Sequence, residues 1–407
     1  MTRSPVFFIT GKHPTREVGG FGHSVYVRAH ARAATAAGRA PQMFCIAEDD
    51  LEETEPFGTV YGLRSRLAAR QVYLPVFGPR LASAVVERAL RLPSEEPILI
   101  HAFGAWSHAG ALALARLRRA GRRAAMVVSS YTTHLDENRE MYAGWSARDG
   151  ARRRASLAIQ VGWSRCVVDP LEGRGYRAAS IVAANYRNVA RMIAARHGID
   201  DVRIVRYTSD EAFARATPAR EPRSAPAVPR VVSVSGHFER KGLDVLMRAY
   251  VLLRERGVAF RADMVGGGAL LASHRALARD LGLDDVLAIP GVVPDVEPYL
   301  AEADVYVLPS RSEQSGALSL IEALERGLPA VASDCDGIPE DLEGSQAGIL
   351  VAPGDERALA DALERLIASP EERTRRGRAA RELFDRRFSP EAFVADLDRI
   401  YADLARA

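Results

Sequence analysis

Residues 307–334 read VLPSRSEQSGALSLIEALERGLPAVASD. The stretch opens inside an apolar run, ADVYVLPS (303–310), whose inward and outward positions are both apolar. That is the pattern of a strand buried on two faces in a parallel sheet. Pro309 and Ser310 end the run, and small polar residues follow. A helix is expected over 316–326, then a second buried strand over PAVASD (329–334). Strand, loop, helix and strand make one βαβ unit, and ligands bind such sheets at the carboxyl ends of their strands.

The same alternation extends in both directions. Downstream of a proline-rich stretch, strands are expected at PRVVSVSG (229–236), FRADMVGGG (260–268) and VLAIPG (286–291), with helices at 242–256 and 269–281 between them. Helices at 355–369, 371–386 and 390–405 close the chain. Upstream, PVFFIT (5–10), QMFCIA (42–47), PILIHAF (97–103) and AAMVVSS (124–130) read as strands, with helices over 24–37 and 106–120. The acidic, turn-rich stretch 48–58 reads as a surface loop. ATPAREPRSAPAVPR (216–230) has four prolines and no apolar periodicity, which marks a linker. The fold class is therefore α/β with two Rossmann-like, doubly wound domains, their strand ends expected to face one another across a cleft.

The 407 residues carry 55 Lys and Arg against 52 Asp and Glu, and the near balance hides an asymmetry. Residues 1–200 hold 28 basic and 17 acidic side chains; residues 201–407 hold 27 and 35. Lys12 and Lys241 are the only lysines. No apolar run approaches the roughly 20 residues of a membrane span. MTRSPVFFIT reads as a first strand rather than a signal peptide. Cys45, Cys166 and Cys335 are odd in number and far apart, so a disulfide framework or a structural zinc site is not expected, and a cytoplasmic setting is.

Three loops carry candidate chemistry. GGFG (19–22) follows the first strand and precedes a helix, so Gly20 and Gly22 would let backbone N–H groups approach a phosphate or a sugar. VVSVSGHFERKG (231–242) brings Arg240 and Lys241 to the end of the second domain's first strand, as an anionic ligand such as a diphosphate requires. Ser312, Glu313, Gln314, Ser315 and Gly316 form the loop before the 316–326 helix, which offers backbone N–H groups at its start. Glu313 and Glu322 are placed to accept hydrogen bonds from two parts of one hydroxyl-rich ligand. Asp334 and Asp336 form an Asp-x-Asp pair, read here as a turn rather than a metal site.

Taken in series, these motifs resemble glycosyltransferase family 4, the retaining, GT-B-type enzymes that use nucleotide diphosphate sugars. The resemblance rests on Lys241-Gly242, the glycines 266–268, Gly291 with Val293-Pro294, Ala303-Asp304, Pro309-Ser310, the two glutamates, Gly-Ile-Pro-Glu (337–340) and Gly348 to Asp355. The first half is similar more loosely, through GGFG, IHAF (100–103) and SSYTTHLD (129–136), where a strand is expected to end at His134. The resemblance implies an acceptor domain over 1–215, a linker over 216–230, a donor domain over 231–386 and a last helix, 387–407, crossing back to the first domain.

The resemblance implies a retaining sugar transfer to an acceptor hydroxyl, with His134, Glu313 and Lys241 as catalytic residues. Ser235, Gly236, Arg240, Gly267 and Val293 would line the diphosphate side of the donor. Gln314, Ser315, Gly316, Ala317 and Leu318 would hold the sugar and phosphate through backbone N–H groups, and Glu322 the ribose. The implied partners are a donor of UDP, GDP or ADP type and a hydroxyl acceptor; separately, the arginine-rich segments 116–123 and 148–154 offer peripheral contact at the inner membrane face, with ordinary surface arginines the preferred reading. No nucleic acid, metal or other cofactor is implied. Three departures stand out. Ser235-Gly236 replaces the family's Gly-Arg pair. The two glutamates are separated by eight residues rather than seven, so either Ala317 is an insertion or Gln314 takes the first acidic place; Glu313 is preferred. RYTSDEAF (206–213) replaces an Asn-Gly-Val-Asp turn. The alternatives are a non-catalytic binding or scaffold protein on a degenerated fold, and an inverting enzyme or epimerase.

Overall fold

The computed structural model describes residues 4–11, 13–15, 23–65, 76–143, 151–208, 228–313 and 316–406. The chain divides into two compact units, Met1–Ala214 with Pro390–Ala407, and Arg215–Ser389. The linker expected at 216–230 lies outside the described residues up to 227, as do Lys12, Gly20, Gly22, Gln314 and Ser315.

The first unit runs β1 (Val6–Ile9), α1 (His23–Ala36), β2 (Pro41–Ala47), β3 (Leu51–Glu55), β4 (Gly58–Arg64), α2 (Phe77–Ala89), β5 (Ile98–Phe103), α3 (Ser107–Arg119) and β6 (Ala124–Ser130). It continues with α4 (His134–Ala143), α5 (Ala151–Trp163), α6 (Asp169–Ala178), β7 (Ile181–Ala184), α7 (Arg187–His197) and β8 (Val202–Ile204). The sheet order is β3-β4-β2-β1-β5-β6-β7-β8, and every pairing is parallel except β3 with β4. Strands β1, β5 and β6 are buried at every position, which explains sequences that are apolar apart from the hydrogen-bonded His101, Ser129 and Ser130.

The stretch 48–58 is not a loop. Leu51–Glu55 forms the antiparallel edge strand β3, with Leu51 opposite Gly62. Its glutamates are tolerated because one side of an edge strand faces water, and charge there discourages pairing with other chains.

The second unit runs β9 (Arg230–Val234), α8 (Leu243–Glu255), β10 (Arg261–Val265), α9 (Leu271–Asp280), β11 (Leu287–Gly291), α10 (Glu297–Glu302), β12 (Val305–Leu308) and α11 (Leu318–Glu325). It ends with β13 (Ala330–Ser333), α12 (Ile338–Leu342), β14 (Gly348–Val351), α13 (Glu356–Ala368) and α14 (Pro370–Arg387). Its wholly parallel sheet has the order β11-β10-β9-β12-β13-β14. Counted within the unit this is 3-2-1-4-5-6, the doubly wound order whose direction reverses between its first and fourth strands, here β9 and β12. Val231, Leu246, Tyr250, Val305, Val307 and Leu363 are among the side chains of its core.

The last helix, α15 (Pro390–Arg406), belongs to the first unit. Phe393, Leu397, Ile400, Tyr401 and Leu404 recur at helical spacing and are buried in the first unit's core. Tyr401 Oη lies 2.8 Å from His101 Nδ1, and His101 Nε2 lies 2.8 Å from Ser129 Oγ, which ties the helix to β5 and β6. Among the described residues, no helix is long and apolar enough to cross a membrane.

Candidate functional site

The reversal point of the second sheet is where its carboxyl edge opens. The loops leaving β9 and β12 meet there, and glycine decides how closely. Gly242 has φ +62°, and a Cβ on it would lie 2.0 Å from the Pro309 carbonyl oxygen. Any other residue would push the two loops apart. The contact is sealed by Arg311 N–H donating to the Arg240 carbonyl at 2.7 Å. Gly266, with φ +142°, does the same on the other flank, where a Cβ would meet the Ser235 carbonyl oxygen at 2.0 Å.

This approach places Lys241 on Glu313. The ammonium donates to both carboxylate oxygens at 2.5 Å, and Ser310 Oγ donates to the same carboxylate at 2.5 Å. Arg240 stands 3.6 Å from it and is half-exposed. The Lys241 side chain is 13% exposed and that of Glu313 4%. Burial pulls the Lys241 pKa below its ordinary value, and Glu313 opposes that shift. The pair is a buried cation already neutralised by a carboxylate, at the mouth of a parallel sheet.

The other expected donor positions lie along the same carboxyl edge of the sheet and at the start of the helix that follows β12. Ser235 and Gly236 follow β9, and Gly267 and Val293 lie just beyond β10 and β11. A Cβ at Gly236 would lie 2.7 Å from the Phe238 ring, so the ring takes space that an arginine stem would need. Gly316 and Ala317 are buried, Ala317 is the N-cap of α11 in an extended conformation, and Leu318 is its first residue. Alanine has no side-chain oxygen for the helix's first N–H groups. Glu322 is half-buried one turn into α11, which Tyr306 Oη holds to β12 by donating to Ser319 Oγ at 2.7 Å.

In the first unit, β6 ends at Ser130 rather than at a histidine. His134 opens α4 instead. Thr133 Oγ1 accepts from Asp136 N–H at 3.3 Å and donates to Asp136 Oδ2 at 2.6 Å, a hydroxyl cap that starts the helix. Burial pushes the His134 imidazole down to about 4, so the ring is neutral near pH 7. Beneath it lies Glu172, fully buried and raised to about 8 by that burial. It accepts from Tyr176 Oη at 3.0 Å and from the His134 N–H at 3.4 Å.

The comparisons with known proteins bear on the second unit most directly. Residues 229–369 match the family model described as Glycosyl transferases group 1. Over these residues the second unit is similar in sequence to a group 1 glycosyltransferase domain. A protein named colanic acid biosynthesis glycosyltransferase WcaL, from Escherichia coli strain K12, is 39% identical over 150 residues. That alignment covers 35% of this chain and 37% of the relative, so it spans only about a third of either protein. Similarity of fold covers the whole chain. Sucrose-phosphate synthase from Thermosynechococcus elongatus has a TM-score of 0.69 at 23% identity, over 99% of both chains. HepE from Anabaena, solved with UDP, has a TM-score of 0.65 at 17% identity, over 99% of this chain and 100% of that one. The fold is thus of the GT-B type.

Within the second unit, reading by sequence missed the roles of two residues that shape the site. Ser310 reads from the sequence as a strand end and as part of the Pro309-Ser310 motif, yet its hydroxyl holds Glu313. Asp336 carries φ +51°, the one positive value at a non-glycine among the described residues. Its Oδ2 accepts from Glu313 N–H at 2.7 Å and Ser312 Oγ at 3.1 Å. The Asp-x-Asp pair is thus a turn whose second carboxylate pins the Glu313 loop. The signal available in the sequence was an aspartate directly before Gly337, a residue type that adopts positive φ more readily than most.

Proposed function

We propose that the protein transfers a sugar from a nucleoside diphosphate donor to an acceptor hydroxyl, with retention of anomeric configuration. The observation that carries this reading is the Lys241–Glu313 pair at the reversal point of the second unit's sheet. An arriving diphosphate competes with Glu313 for the ammonium. Lys241 then turns to the β-phosphate, where charge develops as the glycosidic bond breaks, and Arg240 supplies the second cation. Released from Lys241, Glu313 accepts hydrogen bonds from the donor sugar. Glu322 takes the ribose hydroxyls, and the backbone N–H groups at the start of α11 take phosphate or sugar oxygens. These groups meet the diphosphate charge with no metal ion bridging it.

The resemblance assigns His134, a neutral imidazole, to the donor sugar. The acceptor oxygen forms the new bond on the face the phosphate leaves. Its proton passes to the departing phosphate oxygen, so no separate base is assigned. UDP in HepE supports a uridine donor as the first to try, beside GDP and ADP sugars. The test is turnover of these donors by the purified chain, with the anomer of the product read by NMR. Transfer with retention is expected. Inversion contradicts the mechanism, and donor binding without transfer to any of a panel of hydroxyl acceptors favours a scaffold instead.

A further inference from the structure

A second cluster, in the first unit, has the composition of a metal site. Asp169 and Glu172 lie one turn apart on one face of α6, and His197 ends α7. One ligand atom from each lies within 4.8 Å of the others. The His197 side chain is only 4% exposed, and its Nε2 has no hydrogen-bond partner although it points toward Asp169 Oδ1 at 3.7 Å. The imidazole is seated by design of the backbone: a Cβ on Gly173 would lie 2.6 Å from its Nδ1, so only glycine leaves room for the ring. A buried imidazole nitrogen without a hydrogen bond, facing the Asp169 carboxylate with Glu172 in the same cluster, is fitted to be a ligand.

The charges point the same way. Asp136, Asp169 and Glu172 face a single part-buried guanidinium, Arg196, which donates to Asp136 Oδ1 at 2.6 Å and to Asp169 Oδ1 at 3.4 Å. Arg139 and Arg177 reach the cluster only from solvent. Asp136 and Asp169 against that one guanidinium leave a single negative charge, beside a Glu172 that burial keeps neutral, and a cation meets that charge.

We propose that Asp169, Glu172 and His197 bind one divalent transition-metal ion, of the kind that accepts one imidazole and two carboxylates. Zn2+, Co2+ and Mn2+ accept such a set, whereas Mg2+ and Ca2+ prefer oxygen ligands alone. An ion about 2.0–2.2 Å from each ligand needs only small side-chain adjustments. Glu172 also takes the His134 N–H, so the ion would fix α6 and α7 and, through Glu172, the start of α4. It is a bracing ion and takes no part in chemistry at the diphosphate.

The test uses the full chain stripped by chelator and titrated with Zn2+ by calorimetry and with Co2+ by visible absorption. One ion per chain is expected, with d–d bands from an imidazole–carboxylate set and a rise in Tm of the first unit. His197→Gln and Asp169→Asn should each weaken binding at least tenfold while leaving circular dichroism unchanged. If one variant fails to fold, the other decides, because each removes one ligand only. No saturable binding, or equal binding by wild type and variants (an adventitious ion only), overturns the proposal.

Discussion

At the residue scale, Lys241 and Glu313 act as one unit, and each depends on the other for its burial. Replacing Lys241 by Met leaves a carboxylate 4% exposed with only the half-exposed Arg240, 3.6 Å away, as a cation, which costs up to about 3 kcal/mol. The double variant Lys241→Met/Glu313→Gln removes both charges and should recover most of that loss in urea denaturation. Equal destabilisation by single and double variants would show that the pair is not coupled. His30 gives a second prediction. Its Nδ1 donates to the Tyr26 carbonyl at 2.8 Å, and burial lowers it to about 4. In the unfolded chain it takes a proton as pH falls through about 6.5, whereas the folded ring stays neutral until about 4. The unfolded state therefore binds the extra proton across that window, and stability falls by up to about 1.4 kcal/mol per pH unit for this residue. His30→Gln should flatten the decline in unfolding free energy between pH 6.5 and 4.5; an unchanged slope would contradict it.

At the scale of elements, α15 is the clearest case of sequence pattern and tertiary placement agreeing. Its five core side chains each contribute about 1.5–3 kcal/mol by burial, a sum comparable to the whole stability of a domain. Ending the chain after Ser389 should therefore abolish the first unit's melting transition in calorimetry and leave that of the second. Survival of both transitions would mean that the helix is dispensable. Tyr401→Phe keeps the ring and removes the 2.8 Å contact with His101, for a loss of about 1 kcal/mol. Elements whose two faces are buried were legible because burial leaves little choice of residue: β1 and β12 read as unbroken apolar runs, and β5, β6 and β9 as apolar runs with few polar positions. The edge strand β3 was not, because its half-solvated glutamates look like loop composition until pairing with β4 supplies the missing partner. Lys241 was found because it is one of two lysines. Its partnership with Glu313, 72 residues on, was hidden because the contact depends on Gly242 packing against Pro309, a tertiary event with no local signature.

At the scale of the molecule, net charge is a poor guide to where an anion binds. Residues 201–407 are acidic overall, yet they hold the Lys241 pair at the reversal point of a 3-2-1-4-5-6 sheet. Local geometry decides: two loops drawn together by glycine, one buried ammonium, and a helix that starts on alanine. The basic character of residues 1–200 has no counterpart in that site and is spread over arginines such as Arg116, Arg122 and Arg196, which bond to their own unit. The most direct measurement is calorimetric titration of the full chain, wild type and Lys241→Met/Glu313→Gln, with UDP, GDP and ADP. Saturable one-to-one binding of at least one nucleotide by the wild type, lost in the double variant while its fold is kept, is the predicted result; no binding of any of the three, or wild-type affinity in the double variant, would contradict the assignment of Lys241 to the diphosphate.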